Sequence, residues 1–349
     1  MKKRLITFLS VLSMNLAVFI TPAEAIENAV SALNNPRVVS LYFKLIATDG
    51  SQIQVTGCTG WLYAPRIVFT NGHCIYDVQK RPEKVIFDVE KISVGIPGEI
   101  TNPKNSHVKA VKTYAYPSFE FYNASVGGTL SYRDDFGVVV LEKPLSNVKT
   151  ANLLTKPMLD ELLSKETFVS TAGYGFHSKA ERDSANYGLR FVEPKYAKFK
   201  IVPFSQGMNV VNEYKNKWRR NYFQEDVVFM EIPKNGPSPC DGDSGSGFYL
   251  DSNDVFTYLG VTHANIGVPN CLNEEWGSSG GIAAFRPVFL DSELISQAEK
   301  YVTDNPFIEP KSKTAGFNNK ITITCIKGKT TKKVSGTTPK CPAGFKKVK

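Results

Sequence analysis

A serine stands at position 244 within Pro239-Cys240-Asp241-Gly242-Asp243-Ser244-Gly245-Ser246-Gly247, flanked by small residues and four positions after a cysteine. Gly-x-Ser-Gly lets the backbone turn sharply and pushes a hydroxyl out beside bare amide N–H groups. That suits a nucleophile whose oxyanion must also be caught. A plain Gly/Ser/Asp turn between strands has the same composition, so the serine means little without a base. One base candidate lies in Phe69-Thr70-Asn71-Gly72-His73-Cys74, where His73 ends an apolar run beside a cysteine that would hold its backbone if bridged. A carboxylate is offered by Arg133-Asp134-Asp135-Phe136-Gly137-Val138-Val139-Val140-Leu141. An aspartate opening an apolar strand is either a cap or turn residue or a buried partner for an imidazole. In the second role it fixes the tautomer and stabilises the imidazolium formed when the serine loses its proton.

The elements that must position these residues read as β-rich from Arg37 to about Val288. Short β-branched and aromatic runs between Gly, Pro and Asn breaks predict strands over 38–46, 67–70, 85–89, 137–141, 167–171, 196–202, 227–232, 247–250 and 256–262. Many short strands with turn signals argue for a sandwich or barrel. Two stretches carry a helical period instead. Pro157 to Ser164 has leucines at 159, 162 and 163, and Asp291 to Val302 repeats Leu294, Ile295, Ala298 and Val302 behind an Asp-Ser cap. The interval 94–128 reads as loops around a cleft. After Thr303 the composition shifts: 305–319 reads as a linker, and 320–349 as a small unit with Ile-Thr-Ile-Thr alternation and cysteines at 325 and 341. So short a unit buries little apolar area, and a disulfide is what would hold it.

At 349 residues, 42% hydrophobic and 21% charged, the chain can bury a full core. Lys2, Lys3 and Arg4 precede an apolar run from Leu5 to Ile20, then Thr21-Pro22 and Ala23-Glu24-Ala25. This reads as a signal peptide over 1–25, cleaved after Ala25, with no membrane span left behind. Six cysteines suit three disulfides in an oxidising compartment. There is no Cys-x-x-Cys and no His-Glu-x-x-His, so neither a metal nor a cofactor is expected. The net charge of +9 is uneven: eleven lysines against Glu309 give the segment from Asn305 about +10, while 26–304 is mildly acidic. The tail therefore favours anionic partners, and the body's substrate is not set by total charge. Export and sparse tail aromatics argue against nucleic acid.

With the three segments in this order, the chain resembles the chymotrypsin/trypsin-like serine endopeptidases over about 26–303. Thr-Asn-Gly-His-Cys at 70–74 is similar to that family's Thr-Ala-Ala-His-Cys, and Asp135-Phe136-Gly137-Val138-Val139-Val140-Leu141 to its Asp-Ile-Ala-Leu-Leu-x-Leu. Gly242-Asp243-Ser244-Gly245 resembles the nucleophile box, Thr171-Ala172-Gly173-Tyr174-Gly175 the Thr-Gly-Trp-Gly turn, and Val38-Val39-Ser40-Leu41 the first strand. The order His, Asp, Ser is also the family's. The resemblance implies an all-β protein of two six-stranded antiparallel Greek-key barrels, at about 38–150 and 165–288, with a C-terminal helix at about 290–303. It implies His73 as base and then acid, Asp135 (over its neighbour Asp134) as orienting group, Ser244 as nucleophile, and the N–H groups of Gly242 and Ser244 as oxyanion hole. It implies the disulfides Cys58–Cys74 and Cys240–Cys271, which leaves Cys325–Cys341 for the tail. Cleavage after Ala25 would free an Ile26 amine to pair with Asp243. Ser246-Gly247 departs from the family's usual Gly-Pro.

The resemblance puts Ser238 at the floor of the specificity pocket and Thr262, His263 and Gly281 on its walls. Serine at the floor disfavours cleavage after Lys or Arg. It leaves a hydrophobic or small residue as the expectation, with glutamate behind it if His263 accepts an acidic side chain. Protein or peptide is the implied substrate and a secreted monomer the expected form, with a basic tail that either contacts an anionic cell envelope or is a solvated terminal extension. The competing class is a catalytically silent, protease-like adhesin.

Overall fold

The structure is a computed structural model and describes residues 29–32, 35–46, 49–76, 86–95, 107–122, 131–175, 194–213, 227–234, 236–252, 255–266, 280–309 and 321–348. The expected signal peptide, Ile26 and Cys271 lie outside the described residues. The chain divides into two units, Met1–Pro306 and Phe307–Lys349.

Alternation along β-branched runs builds the first barrel. A short β1 (Val30–Ser31) precedes β2 (Val38–Ile46), β3 (Gln52–Ala64), β4 (Ile67–Thr70), β5 (Ile92–Gly95) and β6 (Val108–Ala115). A minor hairpin, β7 (Glu120–Tyr122) and β8 (Ser131–Arg133), leads to β9 (Gly137–Leu141). The closed barrel runs β2-β3-β4-β9-β6-β5. Successive strand residues face opposite sides. Val68, Val139 and Leu141 therefore fill the barrel interior with Val39, Leu41 and Leu62, while Ile67, Phe69, Val138 and Val140 point out into a second core.

That second core is shared with the other barrel. After β10 (Asn152–Leu153) and the expected helix α2 (Lys156–Ser164), it comprises β11 (Phe168–Gly173), β12 (Lys195–Val202), β13 (Val228–Ile232), β14 (Gly247–Ser252), β15 (Val255–Ile266) and β16 (Gly281–Pro287). These follow the order β12-β11-β14-β15-β16-β13 and close through β12–β13. The result is two closed six-stranded antiparallel barrels, as expected. The C-terminal helix of this unit, Ser292–Asp304, buries Leu294, Ile295 and Ala298 against the shared core. Tyr63 of β3 donates to its Glu299 at 2.7 Å, fastening it to the first barrel.

Several elements differ from the reading of the sequence. The interval 94–128 contains β6 and β7, not only loops. The strand expected at 85–89 gives way to a single bridge, Tyr76 with Ile86, and a 3-10 turn at Val89–Lys91. An unexpected helix, α3 (Phe204–Glu213), buries Gly207, Val210 and Val211, and the final helix of the unit is therefore α4. Asp291 does not cap α4: it makes no side-chain cap bond and turns inward to Arg286, its carboxylate oxygens 3.0 and 3.2 Å from Nε.

The Phe307–Lys349 unit is a three-stranded sheet with β17 (Ile321–Lys327) central between β18 (Thr330–Gly336) and β19 (Lys346–Lys347). Cys325–Cys341 staples it.

Candidate active site

His73 sits in the one-turn helix α1 (Gly72–Ile75), which follows β4 directly. Cys58–Cys74 ties that turn to β3, as the sequence led one to expect. The three residues Cys58, His73 and Cys74 are compact enough to suggest a metal site, but both sulfurs are committed to the disulfide.

Asp135 is 1% exposed and enters through a sharp bend at Asp134, whose φ of 53° is in the left-handed region. Asp is one of the few residues that tolerate that region. The bend separates the two neighbours. Asp134 turns to Ser118 Oγ at 2.7 Å and lies 3.5 Å from Arg286. Asp135 faces the histidine: Oδ1 accepts the His73 backbone N–H at 2.8 Å, and Oδ2 lies 2.9 Å from Nδ1. An aspartate held this way keeps one ring nitrogen occupied and leaves the other for a proton transfer.

Ser244 lies on a turn whose backbone needs glycine on both sides. Gly242 and Gly245 have φ of 95° and 87°, and a Cβ on Gly245 would fall on Thr59 O and Thr70 Oγ1. First-barrel groups hold this turn from below. Thr59 N–H donates to Ser244 O at 2.8 Å and Thr59 Oγ1 to Gly242 O at 2.9 Å. Gly245 N–H donates to Asn71 Oδ1, two residues before His73. The serine turn, the histidine turn and the aspartate bend thus meet where the barrels join.

Asp243 is fully buried. Its oxygens accept the N–H groups of Gly175 at 2.7 Å and Cys240 at 2.8 Å. Side chains at Gly173 or Gly175 would collide with that carboxylate. Cys240 is disulfide-bonded. The β1 strand, starting four residues after Ile26, pairs antiparallel with β12 at Tyr196 and Lys195.

The residues expected to line the pocket lie on β15, on β16 and in the segment before Cys240. Ser238 is fully buried two residues before the disulfide-bonded Cys240, and its hydroxyl meets no partner among the described residues. Thr262 and His263 lie on β15, where the register with β16 shifts between Thr262 and Ala264. His263 is therefore the extra residue of a bulge, a feature that re-aims side chains. Gly281 opens β16 and is buried. Asn265 Nδ2 donates to Pro239 O at 3.0 Å, joining β15 to the segment that carries Ser238. A separate apolar cleft of about 390 Å³ runs past Leu159, Phe204 and Phe229, and contains none of these residues.

The trypsin family model matches residues 44–275. The chain belongs to the trypsin family, and with it to the serine-type peptidases. A search of the curated proteins found no match to the chain.

Proposed function

We propose that the chain is an exported serine endopeptidase in which His73, Asp135 and Ser244 act as one unit. The pairing of buried Asp135 with both the backbone and the ring of His73 carries this reading. Ser244 Oγ attacks a peptide carbonyl as His73 takes its proton; the developing oxyanion is held by the N–H groups of Gly242 and Ser244. His73 returns the proton to the leaving amine, and water then releases the acyl group by the same steps. Loss of one oxyanion donor in such a site costs on the order of 10²–10³ in rate. A fluorophosphonate probe should label the mature protein and spare Ser244→Ala. Absence of labelling on correctly processed protein would favour the silent adhesin instead.

The uncharged floor at Ser238 supports cleavage beside a hydrophobic or small residue, with glutamate the lesser choice through His263. Digestion of a peptide library reads this directly, and cleavage confined to Lys and Arg would refute it. We also propose that signal cleavage after Ala25 frees Ile26 to pair with Asp243. The buried, N–H-lined carboxylate and the strand beginning at Val30 support this. One extra residue ahead of Ile26 should cost most of the activity; a fully active extended form would remove the idea. The basic Phe307–Lys349 unit is proposed to hold the enzyme on an anionic envelope.

A further inference from the structure

Asn71 is 1% exposed and occupies the place of the first alanine in the motif Thr-Ala-Ala-His-Cys. Its carboxamide is surrounded. Nδ2 lies 2.9 Å from Asp135 O, 3.0 Å from Asp135 Oδ2 and 2.9 Å from Thr262 O, while Oδ1 accepts the Gly245 N–H. These partners fix the orientation of the amide: three acceptors face the NH₂ and one donor faces the oxygen. Among the described residues, Asn71 and His73 are the two whose side chains hydrogen-bond to the Asp135 carboxylate. The nearby hydroxyl of Thr262 is engaged elsewhere, 2.6 Å from Ser246 Oγ and 3.1 Å from Ser246 O. The next charge along the loop, Asp134, is turned toward Ser118 and Arg286.

We infer that Asn71 is a positioning residue that ties the acid of the triad to the nucleophile turn. One carboxamide holds Asp135 Oδ2 at one end and the residue following Ser244 at the other. It thereby sets the carboxylate's direction toward His73 and the height of the serine turn above it. An alanine here would make neither bond and would leave the carboxamide's space empty. The inference rests on the triad reading above.

The experiment compares Asn71→Ala and Asn71→Asp in the mature enzyme, each checked by thermal unfolding. Asn71→Ala should lower kcat about tenfold or more while KM stays within about threefold, the pattern of an interaction acting on the chemical step. The acid limb of kcat/KM should move to higher pH, because a carboxylate with one donor fewer holds the imidazolium more tightly. Asn71→Asp, though equal in size, should be slower still, since it sets a second carboxylate against Oδ2. Thr59→Val, which disturbs the serine turn without touching Asp135, should lower kcat and leave the acid limb where it was. A side chain that only fills space gives the opposite order, with Asp better tolerated than Ala. That order, or both variants within about threefold of wild type with an unmoved acid limb, overturns the inference. If the wild-type protein resists the fluorophosphonate, the triad reading fails on its own. Asn71 is then judged by the downfield proton resonance of the His73–Asp135 hydrogen bond in the unreacted protein. A displaced resonance in Asn71→Ala sustains the inference, and an unchanged one overturns it.

Discussion

Thr59 makes more of the serine turn than its type suggests. It is fully buried, and all of its polar atoms are used: the N–H on Ser244 O, the carbonyl on Thr70 Oγ1, and the hydroxyl between Gly242 O and the Tyr174 N–H. Holding the Gly242 carbonyl down orients the peptide whose neighbouring N–H groups are the proposed oxyanion donors. Thr59→Val keeps the volume but strands the buried Tyr174 N–H and the half-buried Gly242 carbonyl, so it should cost about 1–3 kcal/mol in denaturant unfolding. It should also lower kcat about tenfold with little change in KM, because the loss falls on the transition state. Gly175 offers a second test at this scale. Its substitution by alanine drives a methyl into the Asp243 carboxylate. Activity should fall by at least about tenfold, and full activity would mean that Asp243 does not need this seat. The segments bearing His73, Asp135 and Ser244 were legible because each is a local motif. Asn71 and Thr59 were not, because their bonds reach Gly245 and Gly242 across 174 and 183 residues, and nothing nearby in the sequence marks such a contact.

Among the elements, the 3-10 turn before α4 carries an unusual charge. Asp291 is fully buried, and desolvation raises its carboxyl to about 7, against the opposing pull of Arg286. Arg286 on β16, Tyr116 after β6 and, more remotely, Asp134 are the groups that act on it. A carboxyl raised in the folded state binds its proton more tightly there than in the unfolded chain. Its contribution is therefore fully present at acid pH and is lost as pH rises from about 4 toward 7. Asp291→Asn removes that slope, which for one proton is at most about 1.4 kcal/mol per pH unit. Denaturant unfolding at several pH values should show wild type losing stability relative to the variant as pH rises from 5 to 7. Parallel curves would mean that the pair with Arg286 keeps Asp291 ionised throughout. Four barrel strands, β3, β5, β6 and β16, escaped the sequence reading, and for two of them the reason is visible in their residues. In β3 the glycines at 57 and 60 look like turn punctuation, yet Gly60 is strand because Val39, Leu41 and Val68 leave no room for a Cβ. In β6 the outward lysines mask alternation, and the register shifts between Ala110 and Lys112.

For the whole molecule, the two barrels are welded by aromatic rings and the C-terminal unit is built on another plan. Trp61 of β3 meets Tyr249 and Tyr258 of the second barrel at 5.9 and 4.8 Å between centroids. Arg37 stacks over Trp61 and Phe256 while donating to Leu62 O and Lys149 O. The proposed site straddles this seam, so Trp61→Ala, at about 3–5 kcal/mol, should loosen the site together with the fold. The Phe307–Lys349 unit buries only Ile323 and Cys325 among its described hydrophobic residues. Lys327, Lys329, Lys332, Lys333, Lys340, Lys346 and Lys347 are all exposed. With so little core, the unit depends on its disulfide, and its surface is a dense cationic array suited to polyanions. The residues of the proposed triad all belong to the Met1–Pro306 unit. Deleting 307–349 should therefore leave peptide hydrolysis within about twofold of the full chain. The same deletion should release the protein from envelope fractions that hold the full chain at low salt. Because attraction between exposed charges is screened within about 10 Å at 0.1 M salt, the full chain should itself elute as salt is raised. Retention that survives both the deletion and high salt would place the envelope contact on the barrels instead.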